Sequence, residues 1–245
     1  MSPRAIITGA STGIGYALAH ELARRGYELV LLARRVADVP NAIAISCDVT
    51  DANAVKDAVQ KHGPFDLAIA NAGVSIPIQA ASFAMHDAEH VLRVNVLGLM
   101  YLYDAVIPSM IERRGGRFVG VASIAGLRGL PGAGPYSASK AAVQAFLEAA
   151  RIELAPYGVG VTIVNPGFVA TPMTEKNRFR MPFLMQPAEA AVVIADGIEH
   201  RKRVVEFPRP MSILMRLVRY LPDALYDRIM LPYARRKLDA TKVKR

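Results

Sequence analysis

This sequence has little cysteine and no tryptophan. Cys47 is the single cysteine among 245 residues, so the chain can form no internal disulfide and no cysteine-rich metal site. Aromatic residues make up 7% of the chain, and its basic residues lack the aromatic stacking surface of proteins that bind nucleic acids. We therefore expect neither a disulfide scaffold nor a nucleic-acid partner.

Long uncharged apolar runs are also missing. No eighteen consecutive residues are apolar and free of charge, and the opening MSPRAIITGA has no basic segment followed by a long apolar run. We expect no membrane-spanning helix and no signal peptide, and hence a cytoplasmic protein. With 52% hydrophobic residues, the chain is long enough for one α/β domain with a substantial core.

The histidines show no metal pattern. His86 and His90 have the i, i+4 spacing that could hold a metal ion, but no third ligand accompanies them. We predict no metal site.

Apolar runs alternate with helical patterns along the whole chain. This alternation predicts βαβ units, and continuous apolar strands are typical of a parallel sheet buried on both faces. We predict a single doubly wound, Rossmann-like α/β domain over 1–210, with about seven strands and helices on both faces, and a helical extension over 211–245. The predicted strands are 4–8, 28–33, 43–47, 66–70, 117–122, 159–164 and 203–207, and the helices are 14–25, 51–61, 83–113, 136–156 and 187–199, with Thr50 or Asp51 as N-cap of the second.

The second and third strands are unusually close in sequence. Only Arg34 to Ala42 separate them, whereas a parallel crossover normally needs a dozen or more residues. We predict a short turn or a single helical turn in place of a full helix.

A glycine-rich turn follows the first strand. The segment TGASTGIG places glycines at 9, 13 and 15, directly before the helical run YALAHELARRG. Glycines would let a pyrophosphate approach the helix amides, which form an anion site. The spacing differs from the common G-x-G-x-x-G fingerprint. The alternative is a tight turn that binds no ligand.

A tyrosine and a lysine lie four residues apart in PYSASKAAVQAF. At this spacing Tyr136 and Lys140 share one helix face, and Ser123 lies upstream. An ammonium near a phenol favours the phenolate. The pKa of the tyrosine, normally about 10, would then move toward a range in which it can exchange protons with a substrate.

These motifs, in this order, resemble the short-chain dehydrogenase/reductase family over Pro3 to about Phe207. Asn95, Ser123, Tyr136 and Lys140 match its catalytic tetrad. The resemblance implies cofactor contacts from Gly9, Ser11, Thr12, Gly13, Ile14 and Gly15, from Asp48 and Val49, from Asn71, Ala72 and Gly73, from Tyr136 and Lys140, and from Pro166, Gly167 and Thr171.

The resemblance also implies a mechanism. Tyr136 would exchange a proton with the substrate oxygen as hydride moves to or from a nicotinamide, while Ser123 holds that oxygen. Lys140 would stabilise the tyrosinate and bind the nicotinamide ribose, and Asn95 would hold a water through its backbone. Each residue also has an alternative without a catalytic or binding role. Ser123 could be an ordinary loop hydroxyl, Asn95 a polar helix residue hydrogen-bonded to a neighbour, and Asp48 a helix cap. The family also includes epimerising, dehydrating and catalytically idle members.

The end of the second strand indicates the cofactor. Dinucleotide sites place an acid there for the ribose 2′-hydroxyl of NAD, but this chain has Ala33 followed by Arg34 and Arg35. A cation suits the 2′-phosphate, so we predict NADP(H) rather than NAD(H), with Arg34 as the main contact. Both arginines could instead be ordinary solvated charge.

The substrate is expected to meet the segment after Thr171. Residues 172–186 are rich in methionine and apolar side chains, which favours a lipophilic substrate. Arg178 and Arg180 could bind a carboxylate or a phosphate. Alternatively, these apolar side chains only pack the loop onto the domain. The apolar residues concerned are Met173, Phe179, Met181, Phe183, Leu184 and Met185.

The C-terminal segment carries the whole charge excess. Residues 201–245 hold thirteen Lys or Arg and four Asp or Glu, a net +9 that equals the charge of the chain. Such a basic amphipathic segment can lie on a membrane, pack on the domain, cover the substrate site or form a subunit contact. Because VVEFPRP replaces the glycine-rich turn that many family members have after the last strand, we expect a homodimer rather than a tetramer.

Two functions follow from these observations. The favoured one is an NADP(H)-dependent oxidoreductase that acts on a lipophilic carbonyl or alcohol. The rival is an NADP(H)-binding sensor or scaffold with little turnover, whose basic segment serves as an interaction surface.

Overall fold

The computed structural model describes the chain except residues 1, 36–37, 176, 178 and 243–245, and for residues 235–242 it describes the backbone only. Seven strands form one parallel sheet in the order β3-β2-β1-β4-β5-β6-β7. The predicted doubly wound sheet is therefore confirmed. The strands are β1 (Arg4–Thr8), β2 (Glu28–Ala33), β3 (Ala42–Ser46), β4 (Leu67–Ala70), β5 (Arg117–Val121), β6 (Gly160–Pro166) and β7 (Val204–Phe207).

Helices cover both faces of the sheet. One core layer packs β1 and β4 against α1 and α6, with Leu18 and Ile194 fully buried. The other packs the same strands against α2, α4 and α5, with Leu102 and Leu147 fully buried. The helices are α1 (Gly13–Arg24), α2 (Ala52–His62), α3 (Met85–Leu92), α4 (Gly98–Glu112), α5 (Gly134–Leu154), α6 (Pro187–Glu199), α7 (Arg209–Arg219) and α8 (Asp223–Lys242).

The strand order reverses between β1 and β4. Successive strands add outward on one side from β1 to β3 and on the other from β4 to β7. In such sheets the loops beyond the carboxyl ends of the strands separate at the reversal and leave a crevice for a ligand. The turn after β1 carries the predicted glycine-rich motif and the loop after β4 carries Asn71, Ala72 and Gly73, so both segments lie at this crevice.

The connection between β2 and β3 is short, as the sequence predicted. Residues 34–41 link two adjacent parallel strands, and the described part of this link contains no helix. The edge strand β3 is consequently half-exposed, with Ile43 largely open to solvent.

The predicted helix 83–113 is interrupted. It divides into α3, a π-helical segment from Arg93 to Leu97, and α4. A π segment adds one residue to a turn and is frequent at functional sites. Asn95 lies within it.

The same helical stretch, Met85–Glu112, is long and apolar enough to cross a membrane by length and composition alone, which differs from the sequence prediction. Core helices of globular domains meet the same criterion. Leu99, Leu102 and Met110 pack in the core beside β5 and α5, and Asn95 is buried among polar partners. We therefore assign this stretch to the core of the domain.

Helix termini follow their local chemistry. Of the two N-caps predicted for α2, Asp51 is the one observed, since its carboxylate accepts hydrogen bonds from the amides of Asn53 (3.0 Å) and Ala54 (3.1 Å). Gln186 and Glu189 form a capping box at the start of α6.

Candidate active site

A cleft of about 490 Å³ runs along the carboxyl edge of the sheet. It extends from the end of β2, past the turn after β1, to the first turns of α5. Almost every residue predicted to act in binding or catalysis lines it. These residues are Gly9, Ser11, Thr12, Gly13, Ile14, Arg34, Asp48, Val49, Asn71, Ala72, Gly73, Ser123, Tyr136, Lys140, Pro166, Gly167 and Thr171.

The turn after β1 needs glycine for its backbone and for close approach. Gly9 (φ +69°) and Gly13 (φ +61°) both adopt the left-handed region that side chains disfavour. A Cβ on Gly9 would lie 2.6 Å from Ala72 Cα, and one on Gly13 would lie 3.0 Å from Thr171 Cγ2. The turn is thereby held close to the loops after β4 and β6.

The amino terminus of α1 is open at the floor of the cleft. Thr12 occupies the N-cap position, but its side chain makes no capping hydrogen bond, and the first turn contains no acidic residue. The first amides of a helix then lack a partner, and with the helix dipole they form an anion site. Helix α2, capped by Asp51, has no such opening.

Thr8 and Asn71 connect the loops after β1 and β4. The Thr8 hydroxyl accepts a hydrogen bond from the Asn71 amide (3.1 Å), and the Asn71 side chain donates to the Gly9 carbonyl (3.0 Å). A Cβ on Gly15 would lie 2.3 Å from Asn71 Nδ2. Gly15 does not line the cleft, so the structure places it under the turn, where it makes room for Asn71.

Two arginines lie at the far end of the cleft. Arg34 and Arg35 are exposed and both line the cleft beside Ala33. Across from them, the Asp48 carboxylate accepts hydrogen bonds from the Thr50 amide (2.9 Å) and hydroxyl (2.8 Å). The Thr50 amide contributes most to lowering the pKa of Asp48, and the positive charge of Arg34 lowers it further.

Lys140 is buried at the opposite end. Its ammonium donates a hydrogen bond to the Val121 carbonyl (2.8 Å) and lies 5.8 Å from the centroid of the Tyr136 ring. Only 4% of the residue is exposed, and burial lowers the pKa of Lys140 to about 8. The i, i+4 spacing on α5 therefore brings the two groups together on one face.

The pKa of Tyr136 moves opposite to the sequence prediction. Burial raises this pKa, and the side-chain hydrogen bond with Ser123 lowers it by less. The sequence spacing indicates only the charge of Lys140, whereas the fold also removes the phenol from water, which favours the neutral form. In the cofactor-free protein, Tyr136 therefore holds its proton.

Ser123 is fixed between β5 and the loop after β6. Its hydroxyl accepts a hydrogen bond from the Ala125 amide (3.1 Å) and donates to the Pro166 carbonyl (3.4 Å). The residue is buried, and its hydroxyl faces Tyr136. Two hydroxyls thus converge at one end of the cleft, as needed to hold a single substrate oxygen.

Asn95 does not line the cleft. Its side-chain carbonyl accepts a hydrogen bond from the Val74 amide (2.8 Å), and its amide donates to the Val74 carbonyl (3.0 Å) and to Ser139 Oγ (3.0 Å). Ser139 in turn donates to the Tyr136 carbonyl (2.7 Å). The side chain therefore joins the loop after β4 to the helix that carries Tyr136 and Lys140.

Sequence reasoning missed a polar chain behind Ser123. Gln144 Nε2 donates to the Ser123 carbonyl (2.8 Å) and to Asn165 Oδ1 (2.9 Å). Asn165 Nδ2 donates to Glu206 (3.0 Å), which forms an ion pair with Arg216 (2.9 Å). Polar residues within apolar runs, such as Gln144 in AAVQAF and Asn165 in TIVNPG, were the available signal.

The apolar side chains of the loop after Thr171 lie in several different environments. Met173 lines the cleft, Met185 packs on the core, and Phe179 contacts Phe168 with ring centroids 5.8 Å apart. Phe183 and Leu184 are exposed. Arg180 is exposed and does not line the cleft, and Arg178 lies outside the described residues.

No group of three or more His, Cys, Asp or Glu side chains that could hold a metal ion occurs in the described part of the chain. His90 instead lines the cleft, and His86 is exposed beside Asp87.

The fold and this cleft define a nucleotide-binding α/β protein with a Ser–Tyr–Lys group at one end of its site. The model of the short chain dehydrogenase family matches residues 3–181. The chain belongs to the short-chain dehydrogenase/reductase family of oxidoreductases, which confirms the resemblance seen in the sequence.

Relatives and solved structures agree with this assignment. An uncharacterized oxidoreductase of Myxococcus xanthus is 37% identical over 91% of this chain and 94% of its own length. A 3-oxoacyl-[acyl-carrier-protein] reductase of Synechocystis is 35% identical over 70% of this chain and 76% of its own length. A short chain dehydrogenase of Burkholderia cenocepacia, solved in complex with NADP, superposes with a TM-score of 0.84 at 26% identity and covers 94% of this chain and 98% of that one.

Proposed function

We propose that this protein is an NADP(H)-dependent oxidoreductase that transfers hydride between the nicotinamide and a carbonyl or alcohol group, with Tyr136 as the acid–base residue. The supporting observation is the arrangement of one continuous cleft. Tyr136, Lys140 and Ser123 converge at one end, an uncapped helix terminus lies in the middle, and Arg34 lies at the other end.

The residues of the cleft fit a dinucleotide. The uncapped amides of α1 suit a pyrophosphate, and the left-handed glycines at 9 and 13 keep side chains away from it. Asp48 and Val49 would hold the adenine, and the loop from Pro166 to Thr171 would lie over the nicotinamide. When bound, the nicotinamide supplies or accepts the hydride.

The protein's own groups then handle the substrate oxygen and its proton. Ser123 orients the oxygen through its hydroxyl, and Tyr136 donates its proton in the reducing direction or accepts one in the reverse direction. The raised pKa of Tyr136 keeps the proton available for reduction. Lys140 places a cation beside the phenol and stabilises the tyrosinate that remains after proton transfer.

Asn95 would contribute through its backbone. The π segment displaces helical hydrogen bonding around this residue, and the side chain holds the segment against Val74 and Ser139. A water on the Asn95 carbonyl would connect Lys140 to solvent for reprotonation.

We further propose a preference for NADP(H) over NAD(H). Arg34 is exposed at the end of the cleft where the ribose 2′ position belongs, and the two residues directly after β2 are Arg34 and Arg35 rather than an acid. Binding of NADP by the Burkholderia cenocepacia relative is consistent with this proposal. An Arg34→Ala variant should raise the KM for NADPH about 10-fold or more, as one charge-assisted contact implies, and leave the KM for NADH unchanged.

Arg35→Ala is the matched control for that change, because Arg35 is also exposed and holds the next position. If Arg34→Ala raised the KM values for NADPH and NADH by the same factor, the assignment of Arg34 to the 2′-phosphate would be refuted.

We propose a lipophilic substrate for the same site. Met173 lines the cleft, and Phe179 of the same loop packs against Phe168. Methionine adapts to irregular apolar shapes. We expect kcat/KM to rise with chain length in a series of aliphatic ketones and aldehydes.

The decisive assay is NADPH consumption, with NADH in parallel, against carbonyl compounds graded from short and polar to long-chain and steroidal. Tyr136→Phe should lower kcat about 10³-fold or more while NADPH still binds, since it removes only the proton donor. Tyr157→Phe, an exposed tyrosine beyond the end of α5, is the control and should retain full activity.

Tight NADPH binding without turnover on the whole panel would instead favour the sensor or scaffold function. Tyr136→Phe protein that retained biological activity would point the same way.

We also propose that the protein is a homodimer in the cytoplasm, and its contact with membranes through the C-terminal helices is argued below. Light scattering in solution would test the assembly, and cell fractionation would test the location.

A further inference from the structure

Helix α7 is apolar on the side that faces solvent. Ile213, Leu217 and Tyr220 are 60%, 64% and 81% exposed, and Leu214 lies beside them. The opposite side packs on the domain through Met211 and Ser212, both buried. Surface helices normally turn polar residues outward, but this apolar side is left open to solvent by the residues that the structure describes. We call Ile213, Leu214, Leu217 and Tyr220 the outer face of α7.

The outer face belongs to an anchored structure. Arg128 donates to the Arg219 carbonyl (3.1 Å) and forms an ion pair with Asp223 (2.6 Å) at the junction of α7 and α8. The Tyr226 hydroxyl donates to the Gly129 carbonyl. Exposed Leu225 and Ile229 extend the apolar surface onto α8. The apolar side chains are therefore presented on a fixed helix pair.

Cations border the outer face. Arg209, Arg216 and Arg219 are exposed on α7, and residues 201–245 carry the whole +9 excess of the chain. Arg216 is partly occupied by its ion pair with Glu206. Arginine can lay its aliphatic stem along apolar surface while its guanidinium reaches polar headgroups. Exposed leucine, isoleucine and tyrosine beside arginine are the composition of an interfacial helix.

We propose that the outer face of α7 docks on an anionic lipid bilayer. The charge distribution favours a bilayer over a second copy of the chain, because a symmetric contact would bring the exposed Arg209, Arg216 and Arg219 of both copies together. Anionic headgroups complement that charge, and the acyl region receives the apolar side chains. This inference goes beyond the proposed enzymatic activity and does not depend on it.

The docked orientation would bring the substrate side of the domain toward the lipid. Arg128 and Gly129, which hold α7 and α8, lie in the segment between Ser123 and Tyr136. Phe179 of the loop after Thr171 contacts Tyr233 of α8, with ring centroids 6.3 Å apart. A lipophilic substrate dissolved in the bilayer would therefore be close to the cleft, a consequence that does rest on the proposed function.

Co-sedimentation with vesicles tests the docking. The full chain is mixed with vesicles of phosphatidylcholine alone, or of phosphatidylcholine with phosphatidylglycerol, at about 0.1 M and about 0.5 M salt. We expect at least ~10-fold stronger partitioning to the anionic vesicles, and weaker binding at the higher salt. Ile213→Asp/Leu217→Asp should lower this partitioning ~10-fold or more, since each buried aliphatic side chain contributes substantially.

Ile152→Asp is the matched control. Ile152 is a helical isoleucine, 70% exposed, on α5, and its replacement should leave vesicle binding unchanged. Circular dichroism and NADPH binding establish that each variant is folded. The readout needs no turnover, so an inactive protein would leave this result interpretable.

Three results would overturn the proposal. One is equal binding to neutral and anionic vesicles, and another is undiminished binding by Ile213→Asp/Leu217→Asp. The third is a wild-type dimer that binds no vesicles and that these substitutions convert to monomers, which would assign the outer face to a subunit contact.

Discussion

Burial of Lys140 should make the cofactor-free protein less stable than it would be with an apolar residue at this position. The ammonium is 4% exposed, and burial lowers its pKa from 10.5 to about 8. One pKa unit corresponds to ~1.4 kcal/mol, so the charged side chain costs up to about 3 kcal/mol at pH 7. Its hydrogen bond to the Val121 carbonyl contributes roughly 1.5–3 kcal/mol of stability in the opposite direction.

Lys140→Met should therefore leave stability at pH 7 equal or about 1 kcal/mol higher, while abolishing turnover. The pH dependence is the sharper test. A folded pKa below the unfolded pKa means that the unfolded chain binds the extra proton between pH 8 and 10.5. The wild type should thus gain stability relative to Lys140→Met across that interval, by up to about 3 kcal/mol.

Urea unfolding at a series of pH values, followed by circular dichroism, measures this difference. Lys61→Met, at an exposed position near the end of α2, is the control and should track the wild type at every pH. Parallel curves for the wild type and Lys140→Met from pH 8 to 10.5 would refute the argument, since they would show that burial leaves the lysine's proton affinity unchanged.

Three further predictions follow from the contacts of single side chains. Asn95→Ala should lower the free energy of unfolding by about 3 kcal/mol in urea titrations, one per lost hydrogen bond, whereas exposed Asn53→Ala should change it by less than about 0.5 kcal/mol. Gln144→Leu removes the hydrogen bond to the Ser123 carbonyl, so we expect kcat to fall ~10-fold while the Kd for NADPH stays unchanged. If kcat and the affinity for NADPH fell by the same factor, the positioning role of Gln144 would be refuted. Hydrogen bonds from Arg24 and then Arg25 hold the pKa of Glu21 at about 2, so the stability they give is complete above pH ~4.5 and lost toward pH 2. In Glu21→Gln the midpoint of urea unfolding should vary less with pH over that range. If the midpoint of the variant fell with pH as steeply as that of the wild type, the ion pairs of Glu21 would not be the source of this stability.

The strands could be predicted closely because their chemistry is local. All seven predicted strands begin within one residue of their observed start, and β1 and β2 match at both ends. Strands buried on both faces read as continuous apolar runs, and their boundaries fall where polar or turn residues begin. The turn at 9–15 could be predicted equally well, because few residues other than glycine adopt the left-handed backbone conformation that it requires.

The π segment could not be predicted from the same kind of evidence. Residues 83–113 carry one apolar pattern, and the inserted residue at 93–97 does not interrupt it. Asn95 became interpretable only when the fold placed Val74 and Ser139 beside it. The contacts come from three separate elements, and a single sequence contains no record of which elements meet.

The raised pKa of Tyr136 has a similar origin. The i, i+4 spacing correctly places Lys140 next to the ring, but the magnitude of burial depends on how the surrounding loops pack. The link from Gln144 through Asn165 to Glu206 likewise depends on the register of β6 and β7, which pairs Asn165 with Glu206. Local motifs predicted which groups meet in the cleft, and long-range packing sets the pKa values of Tyr136 and Lys140.

The apolar stretch Met85–Glu112 has a consequence for synthesis of the chain. Its core side chains Leu102 and Met110 pack with Phe118 of β5 and Ile163 of β6, which are translated later. At ~5–20 residues per second, the ribosome needs several seconds to extend the nascent chain from Glu112 to the end of β6. During that interval the most apolar helix of the protein has no complete binding surface, and it is then that the chain most needs a chaperone.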